Sequence, residues 1–284
     1  MADKINNIGK LFYKDYYKEV DFYKLLLGSD KEKKEEKDKH INLRIKKKDE
    51  DKFVKINDVI KQSSRVDIKH PLKNPETFAK TEIFQQFKEF KAEVLYPGIV
   101  TGVGLDHDVA VTDGYNLGMH FDYTYGMPIV YGSSVKGVLR EYFKDFFLKH
   151  YPDRESDVEF LMKLIFEGKN PEYDEKKDTP KYISIYERDV FFDAVIVDSY
   201  KGHFLEDDFI TPHPDPLKNP TPIKMLKIAP GCKIEFRFKL NNHKIKNREY
   251  TSDFILKIFI DILTTVGIGA KTNVGYGQLK TDEK

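Results

Sequence analysis

Apolar residues recur at helical spacing in two stretches of this chain. Between residues 135 and 147 they fall at i, i+3, i+4, i+7, i+8, i+11 and i+12, and this spacing predicts an amphipathic helix. Ser133 or Ser134 is its expected N-terminal cap, because a serine hydroxyl accepts hydrogen bonds from the free amides of a first helical turn. A second apolar stripe predicts a helix over residues 252–266, which Gly267 ends.

Other stretches have the residue pattern of β-strands. Residues 233–240 alternate strictly between apolar and charged side chains, which predicts a half-solvated antiparallel strand. Further strands are predicted over residues 90–101 and 189–197, with a shorter helix over residues 156–166 between them. A glycine-rich strand closes the chain. This order predicts an α+β fold, a modified ferredoxin-like antiparallel sheet with helices on one face and large inserted loops.

The chain divides into three regions by composition. Residues 1–29 form an arm rich in aromatic and basic side chains, which we expect to pack on the body or on a partner. Residues 30–73 are predicted to be a charged, flexible segment, because charges of both signs alternate over its first part. Residues 74–284 form the main domain, in which the loop 211–222 holds five prolines and so excludes an interior strand or helix.

Charge and cysteine content restrict the function. The net charge is only +1 and the pI is about 7.7, so any surface that binds nucleic acid must be local. The single cysteine, Cys232, excludes an internal disulfide and a cysteine zinc site. No apolar run reaches the roughly 20 residues of a membrane span, and the N-terminus, residues 1–5, lacks the apolar core of a signal peptide. We therefore expect a cytoplasmic protein without a membrane partner.

The glycine-rich segment 267–279 is the most informative motif. It combines four glycines with Lys271 and Tyr276, and so offers bare backbone, a cation and an aromatic ring to a polyanion such as a nucleic acid. It is neither a P-loop nor a dinucleotide-binding loop, because both of those precede a helix and this segment follows one. The alternative is a purely structural turn that closes the sheet.

Two further clusters carry candidate chemistry. Ser133 to Lys136 has the Ser-x-x-Lys spacing of acyl-enzymes, but the Ser-Asp-Asn and Lys-Thr-Gly elements of those enzymes do not occur here. A helix start with hydroxyls and a lysine instead suits an anion. Asp106 and Asp108 flank a histidine and are the candidate acid–base pair; ordinary exposed loop residues are the alternative. Tyr115, Tyr123 and Tyr125 either stack on bases or pack in a core or a turn.

These motifs together resemble a known family. The block Tyr131–Arg140 is similar to the Gly-Ser-Ser-Leu-Lys-Gly-x-Leu-Arg block of RAMP-superfamily CRISPR proteins, and residues 267–277 resemble that superfamily's C-terminal glycine-rich loop. Within the superfamily, residues 7–13, 191–194 and 211–223 resemble the family of sixth subunits of type III-B (Cmr) effector complexes. The resemblance covers most of the chain from about residue 90 onward, together with the N-terminal arm.

The resemblance implies a modified RNA-recognition fold with a thumb-like inserted element. It also implies a subunit that binds the CRISPR guide RNA near its 3′ end, in an antiviral complex that recognises target RNA by guide pairing. Its protein partners would be the repeated Cmr backbone subunit and a neighbouring capping subunit. Such a subunit is architectural, so we expect no catalysis, metal, cofactor or small-molecule substrate.

We therefore predict phosphate contacts at two places, the first helix start and the glycine-rich loop. The residues are Ser133, Ser134, Lys136, Arg140, Gly269, Lys271, Thr272 and Gly275. Partner contacts are predicted in the proline-rich loop at His213, Asn219 and Thr221. Two alternatives stay open: a ribonuclease that uses Asp106 or Asp108, and a protein-only cap that contacts partners through residues 211–222.

Overall fold

The chain forms two compact units, each built from three separate segments. The computed structural model describes residues 7–17, 47–64, 87–105, 114–171, 181–199, 202–211 and 222–281. One unit comprises Ile68–Ile99, Ile129–Asp198 and Pro230–Lys284, and is called the sheet unit below. The other comprises Met1–Asp67, Val100–Pro128 and Ser199–Ala229, and is called the insertion unit.

The described part of the chain contains five α-helices and ten strands. The helices are α1 Ile8–Tyr13, α2 Lys47–Ser63, α3 Gly132–His150, α4 Glu155–Met162 and α5 Ser252–Val266. The strands are β1 Phe87–Val94, β2 Ile129–Val130, β3 Val190–Phe191, β4 Ala194–Asp198, β5 Leu205–Ile210, β6 Ile223–Ile228, β7 Lys233–Lys239, β8 His243–Ile245, β9 Arg248–Tyr250 and β10 Leu279–Lys280. None of these helices is long and apolar enough to cross a membrane.

The main sheet has the strand order β10-β1-β7-β4-β2, and β3 also pairs with β7. All of these pairs are antiparallel. Along the chain, β1, α3, β4, β7, α5 and β10 give a β-α-β-β-α-β order, and the four strands lie in the order that a ferredoxin-like core requires. The α+β prediction is confirmed.

Both helices α3 and α5 pack on one face of this sheet through aromatic side chains. The Phe259 ring of α5 lies 5.3 Å from the Phe238 ring of β7 and 6.1 Å from the Phe143 ring of α3, between centroids. Under them, Phe90 of β1 stacks on Phe236 of β7 at 4.9 Å. The apolar stripes of the sequence therefore fix which face of the sheet is covered.

The opposite face of the sheet carries paired charges. In the register of β1 and β7, Lys91 stands across from Glu235, and the neighbouring positions also place a carboxylate opposite a cation. Glu235 is only 3% exposed and contacts both Arg237 and Lys91. The prediction that this side of the strand is solvated is therefore wrong at Glu235, because ion pairing lets the carboxylate be covered. The charges of this stretch of the sheet are therefore paired with one another.

Two strands end at residues other than those predicted. The strand predicted over residues 90–101 ends at Val94, and Leu95–Gly98 form a turn in which Pro97 has no amide to donate to a neighbouring strand. The strand predicted over residues 189–197 is interrupted at Phe192 and Asp193. The turn and the interruption each place a residue at the candidate interface described below. The helix predictions are confirmed, with α5 ending at Gly267 as expected.

The insertion unit has its own aromatic core. Phe12 of α1 is buried against Tyr16, Tyr115 and Phe121, at centroid distances of 6.0, 5.7 and 5.4 Å. The described part of the N-terminal arm, residues 7–17, therefore packs on residues of the same unit. Helix α2 lies within the segment 30–73, which was predicted to be charged and flexible. Its Phe53 and Ile60 recur at helical spacing among the charges, and both are buried.

A two-stranded sheet of β5 and β6 completes the insertion unit. Its Asp207 accepts a hydrogen bond from the hydroxyl of Tyr115 and pairs with Lys61 of α2 at 3.1 Å. Burial raises the pKa of Tyr115 above its ordinary value, and the charge of Asp207 raises it further. Tyr115 is therefore a core residue, and the possibility that it stacks on a base is excluded.

A buried carboxylate fixes the β8–β9 hairpin to α4. Asp157 is 3% exposed and accepts hydrogen bonds from Tyr250 at 2.6 Å and Arg248 at 2.8 Å. Burial acts to raise the pKa of the Asp157 carboxyl, but the hydrogen bonds from Tyr250 and Arg248 outweigh it and hold that pKa below its usual value. The ionised carboxylate therefore stabilises the sheet unit.

We expect Asp157→Asn to lower the free energy of unfolding by about 1–3 kcal/mol at pH 7, because a buried charge-assisted hydrogen bond is lost. Since the folded pKa is lowered, this contribution is present above the unfolded pKa of about 3.9 and is lost as the pH falls through the folded pKa. Urea unfolding of both proteins between pH 3 and pH 7 measures the difference. Glu155→Gln, on an exposed carboxylate paired with Lys144, is the control and should change little. An equal effect of both substitutions would contradict the assignment.

Candidate nucleic-acid interface

The glycine-rich loop follows α5, and the two segments of chain at its base lie in close backbone contact. The amide of Ile268 donates to the carbonyl oxygen of Gly277 at 2.9 Å. A Cβ on Gly277 would lie 2.0 Å from the carbonyl oxygen of Ile268, and the φ of Gly277 is 77°. Both facts exclude any side chain at this position. The two ends of the loop are therefore held together by backbone contact.

The same loop is attached to the turn that follows β1. The amide of Gly277 donates to Gly98 at 2.8 Å, and the amide of Leu95 donates to Gln278 at 2.9 Å. Strand β10 then pairs with the end of β1, with Leu279 opposite Val94. The base of the loop is thus part of the sheet, and only its tip, defined as residues 269–275, is left to contact another molecule. The structural alternative holds for the base, and binding by the tip stays a prediction.

Lys271 is the notable residue of the tip. It has a φ of 61°, in the left-handed region, where a residue other than glycine loses roughly 1–2 kcal/mol. The carbonyl of Lys271 accepts from the amide of Val274 at 3.1 Å, which closes the short 3-10 turn Thr272–Val274. Among the described residues, no carboxylate pairs with the Lys271 ammonium. A lysine at this φ is unusual, because glycine adopts the same conformation without strain.

The other predicted loop residues lie around Lys271. Gly269 is exposed and has a φ of 99°. Gly275 has a φ of 97° and ends the 3-10 turn, and Thr272 is half-buried. Their proximity to Lys271 follows from the turn itself, so the structure brings the four predicted residues of this loop together.

The start of α3 differs from the prediction. The helix begins at Gly132, and Tyr131, which makes no side-chain capping bond, stands in the capping position that the sequence assigned to Ser133 or Ser134. The amide of Gly132 donates instead to the Asp193 carboxylate at 2.6 Å. Asp193 reaches this site because the strand breaks at residues 192–193, and a carboxylate is favourable at the positive end of a helix.

This arrangement reduces what the α3 start offers to a phosphate. The amide of Gly132 is used by Asp193, and the amides of Ser134 and Val135 both donate to the carbonyl of Tyr131. The hydroxyl of Ser133 is exposed. Lys136 lies with its ammonium 5.6 Å from the centre of the Phe191 ring, and no carboxylate among the described residues pairs with it. Phosphate contact by these side chains stays a prediction.

Arg140 has an ionic partner of its own. Its guanidinium donates to Glu167 at 2.6 Å, and Glu167 also accepts from Lys169 at 2.7 Å. The hydrogen bond from Lys169 lowers the pKa of the Glu167 carboxyl, and the charges of Lys169 and Arg140 add to this. A phosphate at Arg140 would have to compete with this carboxylate, so Arg140 is the least available of the predicted contacts.

The two predicted segments lie at the same end of the helical layer. Phe143 of α3 contacts Phe259 of α5, whereas Phe147, one turn later, contacts Phe254, one turn earlier. The helices are therefore antiparallel, and the first turn of α3 lies at the end where α5 passes into the glycine-rich loop. Lys136 and Lys271 consequently belong to one end of the sheet unit, although they are far apart in sequence.

Five predicted residues lie outside the described parts of the chain. They are Asp106, Asp108, His213, Asn219 and Thr221. Two residues that the structure places beside the predicted ones, Asp193 and Tyr96, were not predicted as site residues. Each lay inside a stretch assigned to a continuous strand, and the Pro97–Gly98 pair was the available signal that a turn, not a strand, presents Tyr96.

A family model and a solved structure are similar to this chain. A family model described as RAMP superfamily matches residues 91–280. A chain in the cryo-EM structure of the Type III-B Cmr-beta bound to cognate target RNA is 18% identical, with 98% of this chain and 87% of that chain covered and a TM-score of 0.57. That identity is low enough for the likeness to show the fold alone.

A second solved structure, Cmr6 from Pyrococcus furiosus, is 17% identical over 69% of this chain and 97% of that chain. Its TM-score of 0.34 is too low to support an argument. No curated protein sequence matches the chain.

We expect Gly277→Ala to lower the free energy of unfolding by several kcal/mol, because the new methyl group collides with the backbone of Ile268 and requires a left-handed φ. Gly137→Ala is the matched control. That glycine lies on the exposed side of α3 with open space around it, so alanine should stabilise the helix by roughly 0.5–1 kcal/mol. Thermal and urea unfolding measure both, and a neutral Gly277→Ala would show that the loop base lacks this close backbone contact in solution.

Proposed function

This chain belongs to the RAMP superfamily, and from that membership we propose that it is an RNA-binding subunit of a type III-B effector complex in antiviral defence. In this proposal it acts as a backbone or capping subunit that holds the CRISPR guide RNA near its 3′ end. The family match includes both motif blocks, the α3 start and the glycine-rich loop. A chain of similar fold belongs to a Cmr complex bound to target RNA, which supports the same assignment.

The observation that carries the proposal is Lys271 at the tip of the glycine-rich loop. Its ammonium has no carboxylate partner in the described chain, and its backbone is held at a φ that disfavours lysine. A strained backbone that persists at a surface tip is typical of a functional contact. We infer that the ammonium neutralises a guide phosphate.

Phosphate contact suits the division of labour in an RNA-guided complex. Contacts to the backbone position a nucleic acid without reading its sequence, and pairing between guide and target supplies the specificity. The chain has a net charge of only +1, so its attraction to RNA must come from local cations such as Lys271 and Lys136. The proline-rich loop with His213, Asn219 and Thr221 is the proposed contact to the neighbouring Cmr subunits.

We expect Lys271→Ala to weaken binding of single-stranded RNA roughly five-fold at ~0.1 M salt, because one released counterion contributes a slope of about 0.7 in the logarithmic salt dependence. Fluorescence anisotropy with a labelled RNA, titrated at several salt concentrations, measures the affinity and the slope.

Lys246→Ala is the matched control for this substitution. Lys246 is an exposed lysine that, like Lys271, has a positive φ, 53°, and it lies in the β8–β9 turn, so both variants lose one charge from the same region of backbone conformation. Equal salt slopes for the two variants would remove Lys271 from the RNA contacts.

The absence of catalysis by this subunit is part of the proposal. A ribonuclease that uses Asp106 or Asp108 is the rival, because a loop carboxylate is able to act as a general acid or base in RNA cleavage. We expect a complex assembled with Asp106→Ala, Asp108→Ala or both to produce every target-RNA fragment that the wild-type complex produces. Denaturing gel analysis of the fragments decides, and the loss of one cut at unchanged assembly would establish the ribonuclease instead.

A further inference from the structure

Tyr96 is an aromatic residue that the fold leaves in solvent. It lies in the turn Leu95–Gly98 directly after β1, and its side chain is 83% exposed. The turn itself is ordered, because the amide of Gly98 donates back to Leu95 at 2.9 Å. A tyrosine in a core or interface has much of its ring shielded from water. The Tyr96 ring is not shielded in this way, so its burial does not stabilise the fold.

The turn that bears Tyr96 is fastened to the loop that bears Lys271. Hydrogen bonds join Leu95 to Gln278 and Gly277 to Gly98, at 2.9 and 2.8 Å. Next to Tyr96, Pro97 lies against Gly275, where an added Cβ would be 3.8 Å from the Pro97 Cδ. Tyr96 and the loop tip therefore belong to one backbone-linked platform, and neither has to be ordered separately when a ligand binds.

The platform has the chemistry that a nucleotide requires. Residues 95–99 and 267–279 contain no aspartate or glutamate, so nothing in either segment repels a phosphate. The tip adds the ammonium of Lys271, which no carboxylate of the described residues pairs with, and Val274 beside it is 65% exposed. Proteins that bind single-stranded nucleic acid combine cations along the backbone with aromatic rings on which bases stack.

We propose that Tyr96 stacks on a base of single-stranded RNA whose phosphate lies at Lys271. This inference rests on the proposed function, since it specifies how the same loop holds its RNA. It adds a second type of contact that tolerates any base, because every base presents a flat π face. RNA is favoured over a protein partner as the occupant because the platform combines a solvent-exposed ring with a cation and lacks carboxylates.

The absence of tryptophan from the chain makes a direct test possible. The sequence contains no tryptophan, so Tyr96→Trp places a single tryptophan at the proposed stacking site, and its emission is excited selectively over that of the tyrosines. We expect its emission to be quenched when the full-length protein binds single-stranded RNA. Tyr186→Trp is the matched control, because Tyr186 is 80% exposed on another ordered turn, Ile185–Glu187, and its emission should not change.

Affinity measurements complete the test. Tyr96→Ala should weaken binding of a single-stranded RNA roughly ten-fold, and Tyr96→Phe should bind as wild type, because stacking needs the ring and not the hydroxyl. Stacking differs from a charge contact in that its loss leaves the salt slope unchanged. Since Tyr96 is almost fully exposed, all variants should keep the melting temperature of the wild type.

The outcomes separate this inference from the function on which it rests. If Lys271→Ala weakens RNA binding while Tyr96→Ala does not and Tyr96→Trp stays unquenched, the stacking role is overturned and the RNA-binding function stands. If Tyr96→Ala keeps its RNA affinity but fails to join the complex, Tyr96 is a protein contact and the inference is wrong. If wild-type protein binds no RNA, alone or within the complex, the proposed function itself fails.

Discussion

The candidate interface depends on one close approach of backbone to backbone, between Gly277 and the carbonyl oxygen of Ile268. Glycine has no Cβ, and a Cβ at this position would collide with the carbonyl oxygen. The glycine-rich loop can therefore close immediately after α5, and β10 pairs with the end of β1. The same glycine donates to Gly98, so the turn of Tyr96 is fixed as well. A cation, an aromatic ring and a sheet edge are thus positioned by a contact that involves no side chain. This explains how a loop rich in glycine remains ordered.

The distribution of paired and unpaired charges explains why RNA contact is proposed at the loop and not on the sheet. On the face of the sheet away from the helices, Lys91 and Arg237 are committed to Glu235. Arg140 is likewise committed to Glu167. In the described chain Lys271 has no such partner. A protein with nearly balanced charge attracts a polyanion where its cations are left unpaired, and Lys271 at one end of the sheet unit is such a cation among the described residues.

The architecture separates a compact core from long insertions. The β-α-β-β-α-β core contributes the helix start and the glycine-rich loop, whereas the connections of residues 100–128 and 199–229 join the N-terminal segment to form the insertion unit. That unit has its own aromatic core around Phe12 and its own polar anchor at Asp207. Long insertions are tolerated because loop closure becomes only slowly less favourable with length.

The sequence by itself determined helices α3 and α5, the alternating strand β7 and the order of the core elements, because the apolar period of each is a local property of the chain. The two family motifs were also recognisable from local residues. Only the tertiary structure decided that Asp193, about sixty residues from Gly132, occupies the start of α3, that Tyr115 is buried against Asp207, and that Tyr96 and Lys271 share one platform. These relations depend on strand pairing and on the packing of α3 against α5, which join residues distant in sequence and leave no periodic signal along the chain.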